Sequence, residues 1–222
     1  QQALALAKSL NNRVDECAVL RHLGIAYSAT GDTVLALEYH QQELDLARSR
    51  GDKVDEGKAL SSLGWIHKRS RNFPQAAEFF QLRLAIAEEE KDEWAEALAL
   101  KAIADIRMET ESEMDPVIDL YSRSFKVFQK LKDLHAQGLV LKRMGHTYLR
   151  KSNYPSALNF FEKAAAVFQK TRHLRNEGRS ILGLGMVHAA ENKLPLAIEF
   201  YQKALNLFQT TMEKKDQLSA LK

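Results

Sequence analysis

Small and apolar residues recur along the chain at a nearly constant interval. Couplets of a large apolar residue followed by a small one stand 40, 40, 41 and 40 residues apart. These couplets are Leu23-Gly24, Leu63-Gly64, Ile103-Ala104, Met144-Gly145 and Leu184-Gly185. An interval of this length is typical of repeat architectures, so the sequence predicts five repeats of one supersecondary unit.

Three further columns of residues keep the same register. Small residues stand six positions before each couplet, at Cys17, Gly57, Ala97, Gly138 and Gly178. Thirteen positions after the couplet's first member, with a slip of one residue in the third repeat, stand Ala36, Ala76, Val117, Ala157 and Ala197. A ring follows four positions later, at His40, Phe80, Tyr121, Phe161 and Tyr201. We interpret the small residues as helix crossings, so Cys17 is predicted to be a packing residue.

Helix-start signals divide each repeat into two helices. Pro74, Pro116, Pro155 and Pro195 precede the second helices, where a missing N–H costs little and a fixed φ helps. Asn12, Asp52, Asp92 and Asp133 are predicted N-caps of the first helices. Glutamates in several first turns suit the positive end of the helix dipole. Each repeat is therefore predicted to be a helix pair.

This arrangement resembles the tetratricopeptide repeat family, whose unit is a helix-turn-helix with small residues at the crossings and aromatic residues between helices. Residues 51–64, GDKVDEGKALSSLG, are close to the consensus of the Leu-Gly-Asn adaptors, and the 40-residue period also resembles kinesin light chain. The resemblance covers the whole chain. It implies an all-α fold, a right-handed α-solenoid of stacked antiparallel helix pairs.

A single array over residues 1–222 is the predicted domain organisation. The five full repeats are predicted at 13–50, 53–90, 93–131, 134–171 and 174–211. Residues 1–10 align with 41–50 and are predicted to be the second helix of a truncated repeat, while 212–222 are predicted to start a further helix. Such cut ends expose apolar surface, so capping by more repeats or by self-association is expected.

The resemblance implies a partner-binding groove lined by the first helices. It places groove positions five, two and one residues before each couplet's first member and two, five and six residues after it. The candidate binding residues in these columns are Arg21, His22, Lys58, Trp65, Lys68, Arg69, Lys101, Lys142, Arg143, His146, Arg150 and Arg179. Function in a repeat protein belongs to such surfaces rather than to the fold itself.

Positive charge is concentrated in these columns. Nine of the thirty groove positions are Lys or Arg and two, Asp105 and Glu109, are acidic, although the whole chain has 32 basic and 29 acidic residues. One interpretation is an ordinary solvated helix face. The other is a groove that attracts an acidic segment of a partner protein through charge-assisted hydrogen bonds. Under that hypothesis Trp65 is an aromatic anchor, whereas Trp94, outside the columns, is expected to pack internally.

The sequence also departs from the family's peptide-binding pattern. Leu-Gly-Asn adaptors place asparagines one residue before and two residues after the couplet's first member, and chaperone-binding relatives use asparagines in a carboxylate clamp. Neither column contains an asparagine here. Binding of chaperone tails and the spindle-orientation role of those adaptors are therefore not implied.

Catalytic and metal sites find little support in the sequence, so no enzyme activity, cofactor or metal is predicted. No phosphate-binding loop, zinc-protease motif or nucleophile elbow occurs. His67 and His188 fall in the column of Tyr27 and Tyr148, which predicts core residues. The acidic segment 108–115 is interpreted as a solvated loop, or as a site for a basic partner or for the groove itself.

Composition bounds the remaining properties. No apolar run reaches the roughly 20 residues of a membrane span, so no membrane insertion is predicted. The single cysteine, Cys17, favours a reducing compartment, and a cytoplasmic location is expected, although targeting signals can lie outside this sequence. The net charge of +3 is too small to indicate nucleic acid.

Three classes of function remain. The leading hypothesis is a non-enzymatic scaffold or adaptor that binds an acidic segment of a protein partner. A second is a peptide-responsive regulatory sensor coupled to an effector domain outside the sequence. A third, nucleic-acid binding along the basic stripe, is disfavoured because Trp65 is the only aromatic residue of these columns suited to base stacking.

Overall fold

The computed structural model describes residues 5, 6, 9 and 12–220, with side chains through residue 212. From residue 12 onward these residues form ten α-helices and no strand. The helices are α1 Arg13–Thr30, α2 Thr33–Arg50, α3 Lys53–Arg69, α4 Phe73–Glu89, α5 Glu93–Thr110, α6 Asp115–Lys130, α7 Leu134–Arg150, α8 Tyr154–Lys170, α9 Leu174–Ala190 and α10 Leu194–Ala220. The all-α prediction is confirmed.

Side-chain caps begin the first helices where the sequence predicts them. The side chains of Asn12, Asp52 and Asp133 each accept a hydrogen bond from a backbone N–H in the first turn, at 3.2, 3.0 and 2.9 Å. Asp92 does the same for the N–H of Ala95 at 3.0 Å. These bonds satisfy donors that have no partner within a helix.

Prolines and left-handed residues set the remaining helix ends. Pro74, Pro116 and Pro155 are the second residues of α4, α6 and α8, so these helices begin one residue before the proline rather than after it as predicted. Single residues with positive φ end the turns after the helices: Gly31, Gly51, Arg71, Lys91, Lys132, Ser152, Arg172 and Asn192. Because this conformation stops the helical hydrogen-bond pattern at once, the two helices of a pair are joined by short turns.

Small residues let the helices of each pair approach closely. A Cβ atom built on Gly64 would lie 2.9 Å from Cζ of Phe80, and one on Gly145 would lie 2.8 Å from Phe161. Gly24 meets His40 and Gly185 meets Tyr201 in the same way. The interpretation of these small residues as helix crossings is thus confirmed.

A second set of rings joins each pair on its other side. Tyr27 stacks on Tyr39, His67 on Phe79, Tyr148 on Phe160 and His188 on Phe200, with centroids 5.1–5.4 Å apart. His67 and His188 therefore take the place of tyrosine in this stack, and of the two predicted core residues His188 is buried whereas His67 is half-buried.

Two compact units divide the chain: unit 1 is Gln1–Ile106 and unit 2 is Arg107–Lys222. In unit 1 a core cluster forms around Leu44, Ala59, Leu60 and Leu63, where α2 packs against α3. In unit 2 the clusters centre on Phe161 and Phe168 of α8. A single array over the whole chain stays a prediction.

The chain ends differ from the predicted boundaries in one respect. Helix α10 continues without interruption to Ala220, through most of the segment predicted to start a new helix. Most of the predicted N-terminal helix over 1–10, and residues 221–222, lie outside the described residues. No helix in the described part of the chain is both long and apolar enough to cross a bilayer.

Candidate functional site: a tryptophan cleft with a basic rim

A cleft of about 650 Å³ opens between α1 and α3 in unit 1. Ile25, Ser28 and Ala29 line it from α1, one helical turn apart, and Ser62, Trp65, Lys68 and Arg69 line it from α3. Because side chains three and four residues apart share a helix face, both helices present one continuous wall. We name this feature the Trp65 cleft.

Trp65 forms a partly exposed platform in this wall. Its side chain is 45% exposed, and its ring meets Phe80 edge to face with centroids 5.2 Å apart. The ammonium groups of Lys68 and Lys101 lie 4.9 and 5.9 Å from the indole centroid. Buried packing on one side and cations nearby hold the indole in place while leaving apolar surface for a ligand.

Basic side chains form the rim of the Trp65 cleft. Lys68 and Lys101 both bind Asp105, at 2.9 and 3.0 Å, and Asp105 is only 2% exposed. Arg69 donates a hydrogen bond to the carbonyl of Ser28 at 3.1 Å, which holds its exposed guanidinium above the cleft. Of the described residues that line the cleft, none is acidic. Asp105, counted as a groove acid from the sequence, is instead a buried anchor for two lysines.

A second cleft of about 330 Å³ lies on the other side of Trp65, between α3 and α5. Trp94 lines it with Leu98 and Lys58, and its side chain is 50% exposed. The expectation that Trp94 packs internally is therefore wrong. Trp94 lies one helical turn before Leu98, which the sequence predicts to be a groove residue. Side chains four residues apart share a helix face, so this spacing could have placed Trp94 on the groove face from the sequence alone.

Arg21 belongs to a buried ionic network rather than to an open surface. Its guanidinium binds Glu43 and Asp55, both at 2.6 Å, and Glu43 also meets Nδ1 of His40 at 2.8 Å. Glu43 and His40 are fully buried. Although burial opposes it, hydrogen bonds from Lys58 and Arg21 hold the pKa of Asp55 below its usual value. Arg21 thus links the first two predicted repeats.

The remaining predicted residues of unit 1 lie at its exposed surface. His22 is exposed on α1. Lys58 pairs with Asp55 at 3.0 Å while its stem lines the second cleft. The structure therefore brings Trp65, Lys68, Arg69 and Lys101 together and places Lys58 beside them. Arg21 is instead held in ion pairs with Glu43 and Asp55.

Unit 2 holds five of the predicted residues on α7 and α9. Arg150 and Arg179 are exposed, Arg143 is half-buried, and Lys142 is 9% exposed with its ammonium 3.4 Å from Oδ1 of Asn176. His146 meets Phe161 edge to face at 4.9 Å. Burial, followed by the charges of Arg143 and Lys142, lowers the pKa of His146 to about 4, so its ring is neutral near pH 7. That all twelve residues form one groove stays a prediction.

The described side chains offer little support for a metal site or for a catalytic nucleophile. No group of three or more His, Cys, Asp or Glu among the described residues could hold a metal ion. The thiol of Cys17 is buried, and burial, followed by the charges of Asp55 and Glu43, raises its pKa to about 11. A thiol in this state is a poor nucleophile.

Comparison with known proteins identifies the repeat. A family model described as tetratricopeptide repeat matches residues 15–89 and 136–210, more than half of the chain. No curated protein matches the sequence. The predicted resemblance is confirmed by this match, and the solenoid fold class is confirmed by similar solved structures.

Three of those structures show the range of proteins with this fold. BtubC (BKLC) from P. vanneervenii is 19% identical with a TM-score of 0.81, over 95% of this chain and 88% of that one. A Rap protein complexed with Competence and Sporulation Factor is 14% identical with a TM-score of 0.77, over 92% and 57%. A signal transduction ATPase with a tetratricopeptide repeat sensor, from Pyrococcus horikoshii, is 18% identical with a TM-score of 0.80, over 94% and 32%.

Proposed function

We propose, from the premise that the chain belongs to the tetratricopeptide repeat family, that it is a non-enzymatic interaction scaffold which binds an acidic segment of a partner protein. The observation that carries this proposal is the Trp65 cleft, with its exposed indole, its basic rim and no acidic residue among its described lining. A buried thiol and the single cysteine fit action in a reducing compartment such as the cytoplasm.

Each part of the cleft suits one part of such a segment. An apolar side chain of the partner would cover the free face of Trp65 and displace water from Ile25 and Ala29. A neighbouring carboxylate would reach Arg69, whose guanidinium is already oriented by the Ser28 carbonyl. Because a held side chain loses less freedom on binding, this arrangement favours affinity.

Charge around the cleft would act mainly on specificity and association rate. Lys68, Lys101 and Asp105 together carry one positive charge, and Arg69 adds another. An acidic segment would be steered toward this rim, whereas a basic one would be repelled. Binding is therefore expected to weaken as salt concentration rises.

A regulatory sensor is the second candidate. The Pyrococcus horikoshii relative carries a tetratricopeptide repeat sensor within a much longer chain, and the Rap relative is complexed with a factor. The same cleft would serve in that role, with an effector outside these residues. Ligand-dependent change in the activity of a full-length protein would distinguish a sensor from a passive scaffold.

Peptide binding by three variants tests the proposal, and two of them, Arg69→Glu and Arg71→Glu, make the same change of charge at different places. The probe is a peptide library, in which acidic members carry one large apolar residue and basic members serve as the counterpart, with binding measured by fluorescence polarisation. Arg69→Glu and Trp65→Ala are each expected to weaken acidic-peptide binding by about tenfold or more, since anchor residues contribute about 2 kcal/mol. Arg71→Glu makes the same charge change at an exposed turn residue outside the Trp65 cleft and is expected to bind normally.

Circular dichroism first verifies that each variant is folded. Preference of the wild-type protein for basic peptides would contradict the proposal. So would unchanged binding in both Trp65→Ala and Arg69→Glu.

A further inference from the structure

Trp65 forms a wall that two clefts of unit 1 share. The Trp65 cleft lies between α1 and α3 and the second cleft between α3 and α5, and both are lined by Ser62 and Trp65. A buried ring from the second helix of a pair also lines each cleft, His40 in the Trp65 cleft and Phe80 in the second. The second cleft therefore repeats the architecture of the first in the next helix pair.

The second cleft has the size and the lining that suit one large apolar side chain. Phe80, Trp94 and Leu98 line it together with Ala95 and Ala99. Its volume of about 330 Å³ is near the lower end of the roughly 300–1,000 Å³ of ligand pockets. That space suits a single side chain better than a whole small molecule.

Polar groups in the lining of the second cleft are already bonded within the protein. The hydroxyl of Ser61 donates to the carbonyl of Gly57 at 2.9 Å. The guanidinium of Arg83 donates to Asp92 at 3.3 Å and packs so closely on α3 that a Cβ built on Gly57 would lie 2.8 Å from its Nη1. Because these donors have acceptors, an apolar occupant leaves no hydrogen bond broken.

The charge at the second cleft suits the same acidic partner as the Trp65 cleft. Among the described residues that line it, Lys58 and Arg83 are basic and none is acidic. Lys58 pairs with Asp55, but that carboxylate is shared with Arg21 at 2.6 Å, so the cations are not fully neutralised. An acidic segment that continues from the Trp65 cleft into the second cleft therefore stays beside positive charge.

Helix geometry sets the distance between the two clefts. Neighbouring helices pack about 8–10 Å apart. Along α3 the lining runs from Ser62 to Arg69 in the Trp65 cleft and from Lys58 to Trp65 in the second, an offset of about 6 Å along the helix axis. The cleft centres are therefore about 11 Å apart, which an extended chain covers in about three or four residues.

We propose that the second cleft binds a second large apolar side chain of the acidic segment, about three or four residues from the one that covers Trp65. The inference rests on the proposed function, since it takes that segment to occupy the Trp65 cleft, and it adds the residue pattern that the segment carries. Trp94 and Leu98 contact the second side chain. They thereby select, among acidic segments, those with two apolar residues at this spacing.

Four acidic peptides of equal length and charge test the spacing, with binding to the full chain measured by fluorescence polarisation. One carries a single phenylalanine, and the others carry two phenylalanines that are one, three or four positions apart. We expect one of the wider spacings to bind about fivefold or more tightly than the single-phenylalanine peptide, because a second large side chain is buried. Adjacent phenylalanines point to opposite sides of an extended chain and are expected to give no gain.

A matched pair of variants assigns the gain to the second cleft. Trp94→Ala is expected to abolish it while the affinity for the single-phenylalanine peptide stays unchanged, and the side chain is half-exposed, so the fold should be kept. Leu82→Ala removes another partly exposed apolar side chain, on α4, that lines neither cleft, and is expected to keep the gain.

Fluorine NMR locates the second side chain directly. The chain contains two tryptophans, so labelling with 5-fluorotryptophan gives two signals, and Trp94→Phe assigns them. We expect the single-phenylalanine peptide to shift the Trp65 signal alone and the peptide with the preferred spacing to shift both.

Three results would overturn the proposal: no gain from a second phenylalanine at either wider spacing, a gain that survives Trp94→Ala, or an equal loss of the gain in Leu82→Ala. A Trp94 signal that the two-phenylalanine peptides leave in place would also contradict it. Failure of the proposed function looks different. In that case the single-phenylalanine peptide would not bind, or would bind unchanged to Trp65→Ala and Arg69→Glu.

Discussion

His146 shows how a single residue of the predicted groove differs from its column mates. It takes the position of Trp65 in a later repeat, but its ring is held edge to face against Phe161 beside two cations. These surroundings favour the neutral imidazole over the charged one. At neutral pH the residue therefore contributes an amphipathic ring rather than a positive charge to the face of unit 2.

The depressed pKa of His146 predicts a loss of stability in mild acid. Its pKa falls from the ordinary 6.5 to about 4 in the folded state, so between these values the unfolded chain binds a proton that the folded chain does not. Stability from this group is present above pH 6.5 and is lost as pH falls toward 4, by up to about 3 kcal/mol. Urea unfolding at pH 7.5 and pH 4.5 measures it.

The comparison variant for this prediction is His146→Gln. His67 and His135 also have lowered pKa values and act in the same direction, so only the difference between wild type and variant isolates His146. We expect the variant to lose less stability across this range. Parallel losses in the two proteins would contradict the assignment.

The sequence predicts the role of a side chain only where its position in the repeat determines which face of the helix it occupies. Trp65 and Arg69 are exposed as their columns imply, and His67 is in its stack. The column does not reveal burial or long-range pairing, so it assigns Arg21 and Asp105 to the surface, whereas Asp105 is buried, Arg21 is half-buried and both are paired. Arg21 pairs with Glu43, 22 residues away, and Asp105 pairs with Lys68, 37 residues away, as well as with Lys101 on its own helix.

Helix pairing depends on glycines placed under buried rings. Gly64 of α3 supports Phe80 of α4, and Phe80 in turn supports the indole of Trp65. Packing at this crossing is therefore connected directly to the candidate site. A change in the distance between α3 and α4 would move the floor of both clefts.

Replacing Gly64 by alanine is predicted to destabilise the protein despite the better helix propensity of alanine. The new Cβ would lie 2.9 Å from Cζ of Phe80, which has to shift within a closed core. Overpacking of this kind costs about 1–3 kcal/mol, more than the roughly 1 kcal/mol that alanine gains in a helix. Urea denaturation measures the net effect.

A compensating change checks the cause. Phe80→Leu in the Gly64→Ala background makes room for the Cβ and is expected to recover part of the lost stability. A Gly64→Ala protein more stable than the wild type would show that the helices separate freely and would contradict the close-packing account.

Helix boundaries were predictable wherever a cap or proline marks them. Asn12, Asp52, Asp92 and Asp133 start helices as expected, and Pro74 lies in the first turn of α4. The end of α10 was not predictable from the sequence. Residues 211–216, TMEKKD, contain neither glycine nor proline to stop a helix. Without a breaker, continued helix is the simplest conformation for that segment.

Opposite net charge and an uneven distribution of tryptophan distinguish the two compact units. Unit 1 is acidic overall and holds both tryptophans, whereas unit 2 is basic and holds none. Stability in repeat proteins is approximately a sum of local terms and neighbour interfaces, so units of different composition need not unfold together.

This asymmetry predicts that two spectroscopic probes will report different unfolding transitions. Tryptophan fluorescence follows unit 1 alone, because Trp65 and Trp94 both lie there, while far-ultraviolet circular dichroism follows every helix. In urea we expect the two midpoints not to coincide. Gly145→Ala, whose Cβ would lie 2.8 Å from Phe161 in unit 2, is expected to move the dichroism transition and leave the fluorescence midpoint in place.

Coincident transitions in the wild type, together with equal shifts of both probes in Gly145→Ala, would contradict independent unfolding. Gly64→Ala is the reciprocal control, since its effect lies in the unit that contains both tryptophans.

The ion pairs of Arg21 restrict which repeats could have been duplicated or exchanged during evolution. Arg21 and Glu43 belong to one repeat, whereas Asp55 belongs to the next, so the bonds cross a repeat boundary. Duplication or recombination that joined the first repeat to a neighbour without an acid at that position would leave this half-buried guanidinium with one carboxylate partner instead of two. All the repeats share the same helix-pair structure, but these ion pairs make the first repeat depend on the second. We therefore expect the first two repeats to be inherited together.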